Sequence, residues 1–416
     1  MNFELYSSSL EDIIVGVMKR KVTATEFLYL SIEKGVGAFS LLRVVKGTFV
    51  NRDEVMMDIQ RAWDQATRQN PIFRLSLVGK HWVSLPESWV APVQVVNNHI
   101  DLLKVPKIEN LNLSIATIAL WVFHDGFVFQ VSHAITDGVG LQILIGDFFN
   151  LLNDRVVVVE NSKKSAVPLN ERHLAIKLNI KHRWFLPKLD QDYSGLNVTM
   201  GKYDEQLVRN HADWAQMQIP LNSIIGYTDT KTLLPTLMLR IARWLKKYNN
   251  QSKVRFMLPV DLRKYDDNTQ TAGNYSLPLW FEIDGDEVPV DFANLLRGKI
   301  RNKEALSFAD PLWLSLRPLV LLRNFVFLRL VKKSNQKKRY PVSVILTYLG
   351  KVKPEENQFV GFRAESIWST ALYSGIAPIQ IHITHDEFNV QIHLSYNCRI
   401  FTITDVNALF DQLQIN

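Results

Sequence analysis

One cysteine, Cys398, is all the thiol chemistry available to this chain of 416 residues. No internal disulfide can form, and a reducing compartment is the simpler expectation. Cys398 follows an alternating stretch that begins at Val390, where a small half-buried thiol is expected rather than a nucleophile. The chain also lacks an unbroken apolar run of membrane-spanning length. Pro311 to Val331 comes nearest, but Arg317, Pro318, Arg323 and Arg329 interrupt it. Each charge at a bilayer centre costs about 2.5–3.5 kcal/mol on insertion scales, which argues against a spanning helix. Met1 to Lys21 carries Glu4, Glu11 and Asp12 and has no apolar core bounded by a cleavage site. Export is therefore not implied, and a cytoplasmic location is expected. No solenoid-period repeat is visible, and no stretch interleaves basic with aromatic residues as a nucleic-acid module would. Neither nucleic acid nor a metal ion is an expected partner.

The composition that remains is 47% hydrophobic and 11% aromatic, enough for a large interior. A chain of this length outgrows one ordinary core, so two domains, or two lobes of one fold, are expected. The net charge of +7 favours acidic partners, among them coenzyme A, an acidic acyl carrier protein and anionic lipid. Lys332, Lys333, Lys337, Lys338 and Arg339, with the three arginines before them, flank the apolar stretch Leu319 to Leu330. The segment Arg317–Arg339 therefore reads either as an amphipathic core helix with a solvated loop or as a peripheral membrane or carrier-docking surface.

Periodicity predicts a helix from Asp53 to Gln69, with Val55, Ile59, Ala62, Trp63 and Ala66 on one face, ended by Asn70-Pro71. Strands are predicted at Ile72 to Val78, Ile115 to Phe123 and Phe127 to Val131, the last two joined by a turn in which Gly126 takes positive φ. Leu141 to Leu152 reads as a buried helix, and Asn153 to Lys202 as a polar connection between lobes. A second lobe follows, with a strand at Asp213 to Pro220, a helix at Thr228 to Tyr248 containing an early Pro235, and a strand at Val254 to Val260. After a turn-rich segment holding Gly273 and Asn274 come strands at Val342 to Leu346, Ile379 to Thr384 and Val390 to Leu394. Mixed strands and helices in both halves predict an α/β protein of two lobes, residues 1–175 and 176–416.

The segment with chemical content is Val131-Ser132-His133-Ala134-Ile135-Thr136-Asp137-Gly138. A strand delivers His133 to its C-terminal end, and a tight loop and a buried helix follow, so the imidazole rests on rigid supports. With an ordinary pKa near 6.5 it can accept a proton at neutral pH. Asp137 can hold the loop by hydrogen bonding or by pairing with an arginine, and Gly138 lets the backbone turn without filling the cavity. A lone histidine after a strand is more often a satisfied core residue, so the motif by itself carries moderate weight.

His133-Ala-Ile-Thr-Asp137-Gly138 resembles the His-x-x-x-Asp-Gly signature of the superfamily of chloramphenicol acetyltransferase, plant acyl-CoA alcohol acyltransferases, polyketide-associated acyltransferases and condensation domains of nonribosomal peptide synthetases. Other segments resemble that superfamily in its own order: Gln69 to Arg74 its "rhPxLR", Leu258 to Arg263 its "vPvdlR", Ala272 to Pro278 its "GN" segment, Thr347 to Gly350 its "SNxG", and Leu394 to Asn397 its closing strand. The chain departs from condensation domains in having Ser132 before the histidine, from the plant enzymes in lacking Asp-Phe-Gly-Trp-Gly, and from "SNxG" in having Tyr348.

The resemblance implies two α/β sandwich lobes with a tunnel between them and His133 at its midpoint. It implies an acyltransferase that moves an acyl group from acyl-CoA or a phosphopantetheinyl carrier to a hydroxyl or amine, with His133 as general base and no bound cofactor. Asp137 would be structural and paired with Arg263 across the lobes, Asn274 would position the lobes or line the tunnel, and Thr347 would be a candidate oxyanion donor. The alternatives are a condensation protein using carrier-bound donors and a noncatalytic member that binds only a carrier or lipid.

Overall fold

The computed structural model describes residues 19–23, 26–27, 29–30, 40–108, 111–154, 189–193, 212–224, 230–249, 252–265, 271–308, 325, 329–370 and 373–414. Two sheets organise them. In the first, β2 (Ser40–Phe49) lies between β14 (Phe362–Ser369) and β7 (Gly126–Ser132), and β6 (Ile118–Phe123) and β5 (Val93–Val95) complete the order β14-β2-β7-β6-β5. Helices α1 (Arg52–Gln69) and α2 (Gly138–Leu152) cover one face. There Ile59, Trp63 and Ala66 meet Leu141, Leu144, Phe148 and Phe149 over Phe127 and Phe129. The other face holds Leu42, Val44, Ile100, Leu102, Val128 and Trp368, so β2 and β7 are buried on both sides.

The second sheet has the order β11-β10-β13-β15-β16-β9, from Ser276–Ile283, Val254–Asp261, Val344–Lys351, Ile379–His385, Asn389–Asn397 and Ala212–Pro220. Helices α3 (Thr230–Lys246), α4 (Pro289–Arg301) and α5 (Ile403–Gln414) pack on one face through Leu237, Ile241, Trp244, Phe292, Leu296, Val406 and Leu409. The protein is thus a mixed α/β fold of two lobes, each a sheet with helices against it. Two smaller sheets complete it, one of β1 (Lys19–Lys21), β3 (Leu75–Val78) and β4 (His81–Ser84), the other of β8 (Gln191–Asp192) and β12 (Arg339–Tyr340).

The lobes are not divided by chain position alone. β14 comes from the C-terminal half yet pairs antiparallel with β2, from Phe362 opposite Phe49 to Ser369 opposite Arg43. It also touches the second sheet, since the Thr384 hydroxyl donates to the Ile367 carbonyl at 3.0 Å. The expected boundary at residues 175 and 176 lies outside the described residues, as do most of Asn153 to Lys202, Arg317, Arg323 and most of Leu319 to Leu330.

Several expectations need correction. Pro71 starts a 3-10 turn over Pro71–Arg74, so the strand expected from Ile72 begins only at Leu75. The strand expected from Ile115 begins at Ile118, after a turn held by Asn112. Cys398 is exposed because β16 ends at Asn397 and the thiol falls in the following turn. Gly126 does take positive φ, at 140°. Among the described residues no helix is long and apolar enough to cross a membrane.

Candidate active site

β7 carries seven buried residues to Ser132, and the chain then turns through His133 to Thr136 before α2 begins. Asp137 is the N-cap of α2, with extended backbone, and its Oδ1 accepts from the Gly140 amide at 2.8 Å. The same carboxylate accepts three further hydrogen bonds from the other lobe: Arg263 Nη1 at 3.0 Å, Arg263 Nη2 at 3.0 Å and the Tyr275 amide at 2.7 Å. Asp137 and Arg263 are 3% and 2% exposed, so this fork-on-fork pair lies away from water. Arg263 follows β10 in a 3-10 turn, and it also donates to the carbonyls of Thr271 and Gly273 and to Asp261. Burial opposes its charge, but Asp137 and Asp261 override that and raise its pKa. Its guanidinium lies 5.4 Å from the centre of the Tyr275 ring.

The segment ahead of β11 is clamped to the His133 loop at two more points. Thr136 Oγ1 donates to the Ala272 carbonyl at 2.5 Å, and Asn274 Nδ2 donates to the His133 carbonyl at 2.9 Å. Gly140 sits so close beneath the Ala272 carbonyl that a Cβ there would collide with it.

His133 is thereby held from both lobes. Its Nδ1 lies 3.0 Å from the Thr136 carbonyl oxygen, which can only accept, and 3.4 Å from Asn274 Nδ2; the shorter contact favours the tautomer with the hydrogen on Nδ1 and Nε2 as acceptor. The ring stacks on Tyr29 with centroids 4.3 Å apart and planes at 22°. Burial lowers its pKa below the usual imidazole value, against the Thr136 carbonyl and the Asp137 charge, which favour protonation. The imidazole is therefore neutral at pH 7, and it is only partly buried.

His133 with Asn274 and Asp137 with Arg263 form two hydrogen-bonded pairs clustered along the same two segments. Gly138 is the first residue of α2, and its φ is not positive; what it provides is space, because a Cβ there would press on the Leu349 side chain. Thr347 is separate from the cluster. It lies on β13 opposite His382 of β15, on the face turned toward the first lobe, and its hydroxyl makes no side-chain hydrogen bond among the described residues. His382 lies close enough to His133 to sense its charge. Tyr29 and His382 escaped sequence reading, because neither belongs to the recognised segments and only tertiary packing brings them to the loop. The two surface hollows along Met57–Arg68 and Lys264–Arg301 do not include His133.

No family model and no curated protein matches the sequence. Solved structures do match in shape. The condensation domain of the Monacolin K polyketide synthase MokA superposes with a TM-score of 0.64 at 10% identity, over 95% of this chain and 96% of that one. The starter condensation domain of rhizomide synthetase RzmA, a mutant solved with C8-CoA and Leu-SNAC, gives 0.61 at 11%, over 95% and 93%. F. graminearum TRI101, solved with ethyl coenzyme A, gives 0.63 at 13%, over 94% and 97%. The chain therefore has the two-lobed chloramphenicol-acetyltransferase-like fold seen in condensation domains and in TRI101.

Proposed function

We propose that this chain is an acyltransferase in which His133, held neutral at the junction of the lobes, acts as general base. The observation that carries the reading is the Nδ1 contact to the Thr136 carbonyl, which leaves Nε2 as the basic nitrogen of a ring whose loop is braced from both lobes. In the reaction, Nε2 takes the proton of the acceptor hydroxyl or amine as its oxygen or nitrogen attacks the thioester carbonyl. The carbon–sulfur bond then breaks, and the proton passes from Nε2 to the departing thiolate. No covalent enzyme intermediate is needed, and this assistance is worth about 100- to 10,000-fold. Asp137 and Arg263 act structurally: they lock the loop to the second lobe, and with it the angle of the imidazole. The Thr347 hydroxyl serves as the candidate donor to the developing oxyanion from the facing strand.

The thioester arm is that of coenzyme A or of a phosphopantetheinyl carrier, reaching His133 through a passage between the lobes. The net charge of +7 favours either acidic donor. Exposed Lys332, Lys333 and Lys337 on the helical stretch 329–337 offer a surface on which a carrier protein or anionic lipid would dock.

The test is the purified chain incubated with a panel of acyl thioesters and acceptors, with products read by mass spectrometry. His133→Ala is expected to lower kcat/KM by about 100- to 10,000-fold while the melting temperature stays within a few degrees. In the wild type the acidic fall in kcat/KM should lie below pH 6.5, because burial lowers the His133 pKa. Transfer at the wild-type rate by His133→Ala refutes the base assignment. A wild-type chain silent toward every thioester supports a noncatalytic binding role instead.

A further inference from the structure

Arg43 stands in the middle of β2 at 2% exposure. Among the described residues no carboxylate pairs with it, and its Nη2 is a buried donor with no acceptor. A cation taken from water without a partner is destabilising, so its presence there calls for a compensating group.

Its place in the fold says where such a group would sit. Arg43 is opposite Phe129 on β7 and opposite Ser369 on β14. Phe129 precedes His133 on the same run of chain by four residues, or about 13 Å at strand spacing. Ser369 Oγ is 3.2 Å from His382 Nδ1, across the seam between the two sheets. His382 is opposite His393, whose Nε2 is 3.0 Å from the Leu102 carbonyl in the first lobe. Burial holds His382 down to about 3, and the charges of His393, His133 and Arg43 add to that effect. Ser369 thus links Arg43 on one side to His382 on the other, and among the described residues no acid balances Arg43.

We propose that Arg43, beside Ser369 and His382, is a subsite for a carboxylate carried by the substrate that reacts at His133, several bonds from the reacting atom. The proposal rests on the acyl-transfer reading and deepens it. A guanidinium fork matches a carboxylate in shape and charge, and Ser369 supplies a hydroxyl donor next to it. The phosphates of coenzyme A are a poor fit, because they sit at the far end of the pantetheine arm from the reacting carbonyl.

Two matched pairs decide which reactant carries the carboxylate: an amino-acid acceptor whose carboxylate lies several bonds from its amine, such as 4-aminobutanoate, against its amide, and succinyl-CoA against butanoyl-CoA. The wild type is expected to prefer the carboxylate member of one pair. Arg43→Met is expected to cut that preference in kcat/KM about tenfold or more, and Arg43→Lys to retain part of it. Without substrate, Arg43→Met should raise the melting temperature, since an unpaired buried charge is removed. The amino acid should raise the melting temperature of the wild type more than its amide does, and this difference should vanish in Arg43→Met if the acceptor bears the group. Equal loss on both members of each pair, or a lower melting temperature with preference intact, makes Arg43 a structural cation and overturns the subsite. Absence of turnover with every pair overturns the acyl-transfer reading alone, and the melting shifts still report on the subsite.

Discussion

At Asp137 one carboxylate answers donors from its own helix and from two segments of the opposite lobe. Removing one partner of such a pair strands the other charge in the interior, which costs about 3–5 kcal/mol. Asp137→Asn and Arg263→Met are each expected to lower unfolding free energy by about that amount. The double variant should lose clearly less than the sum, as measured by urea denaturation in a double-mutant cycle. Additive losses would show that the pair does not act as a unit. His133 and Asp137 were legible because their spacing is local and the loop between strand and helix is short. The pairing of Asp137 with Arg263 was implied only by the resemblance, since nothing local joins residues so far apart in sequence.

Among the secondary-structure elements, α2 carries the tightest constraint. Its first turn slides under the segment that leads into β11, with Gly140 against the Ala272 carbonyl and Gly138 against the Leu349 side chain. Gly140→Ala must push a backbone group that also bears Asn274 and Tyr275, so a loss of about 1–3 kcal/mol is expected together with reduced acyl transfer. Gly146→Ala on the same helix meets no atom within 4 Å and should gain about 0.5–1 kcal/mol from helix propensity. Thermal melts of the two variants check the contrast, and similar behaviour would refute the close approach. The helices α1 and α2 were readable from their period. By contrast β2, β11 and β14 were missed: β2 is buried on both faces and does not alternate, Pro278 and Trp280 mask the alternation of β11, and a bulge near Glu365 breaks that of β14.

For the molecule as a whole, the seam between the sheets holds neutral histidines. Burial lowers His393 to about 4 and His382 to about 3. Unfolding returns them toward 6.5, so between these values the unfolded chain binds more protons than the folded one. Stability is then greatest above pH 6.5 and falls as the pH drops toward 4. From pH 7 to pH 5 a loss on the order of 1–2 kcal/mol is expected from His393 alone. Urea midpoints at the two pH values measure it, and His393→Gln should shrink the difference while leaving the part that comes from His382. An unchanged slope in that variant would place the acid sensitivity elsewhere.

Taken alone, the amino-acid order determined the local features: the helices with a clear apolar stripe, the turn at Gly126, the histidine at a strand end and its signature spacing. Those follow from period, turn chemistry and short-range sterics, which act between near neighbours in the chain. Only the tertiary structure decided that β14 crosses into the first sheet, that Arg263 and Asn274 brace the His133 loop, that Tyr29 stacks on the imidazole, and that Arg43 is buried opposite Ser369 with no carboxylate partner among the described residues. Each of these depends on contacts between residues far apart in sequence, and burial and charge pairing are properties of where side chains meet once the chain has closed on itself.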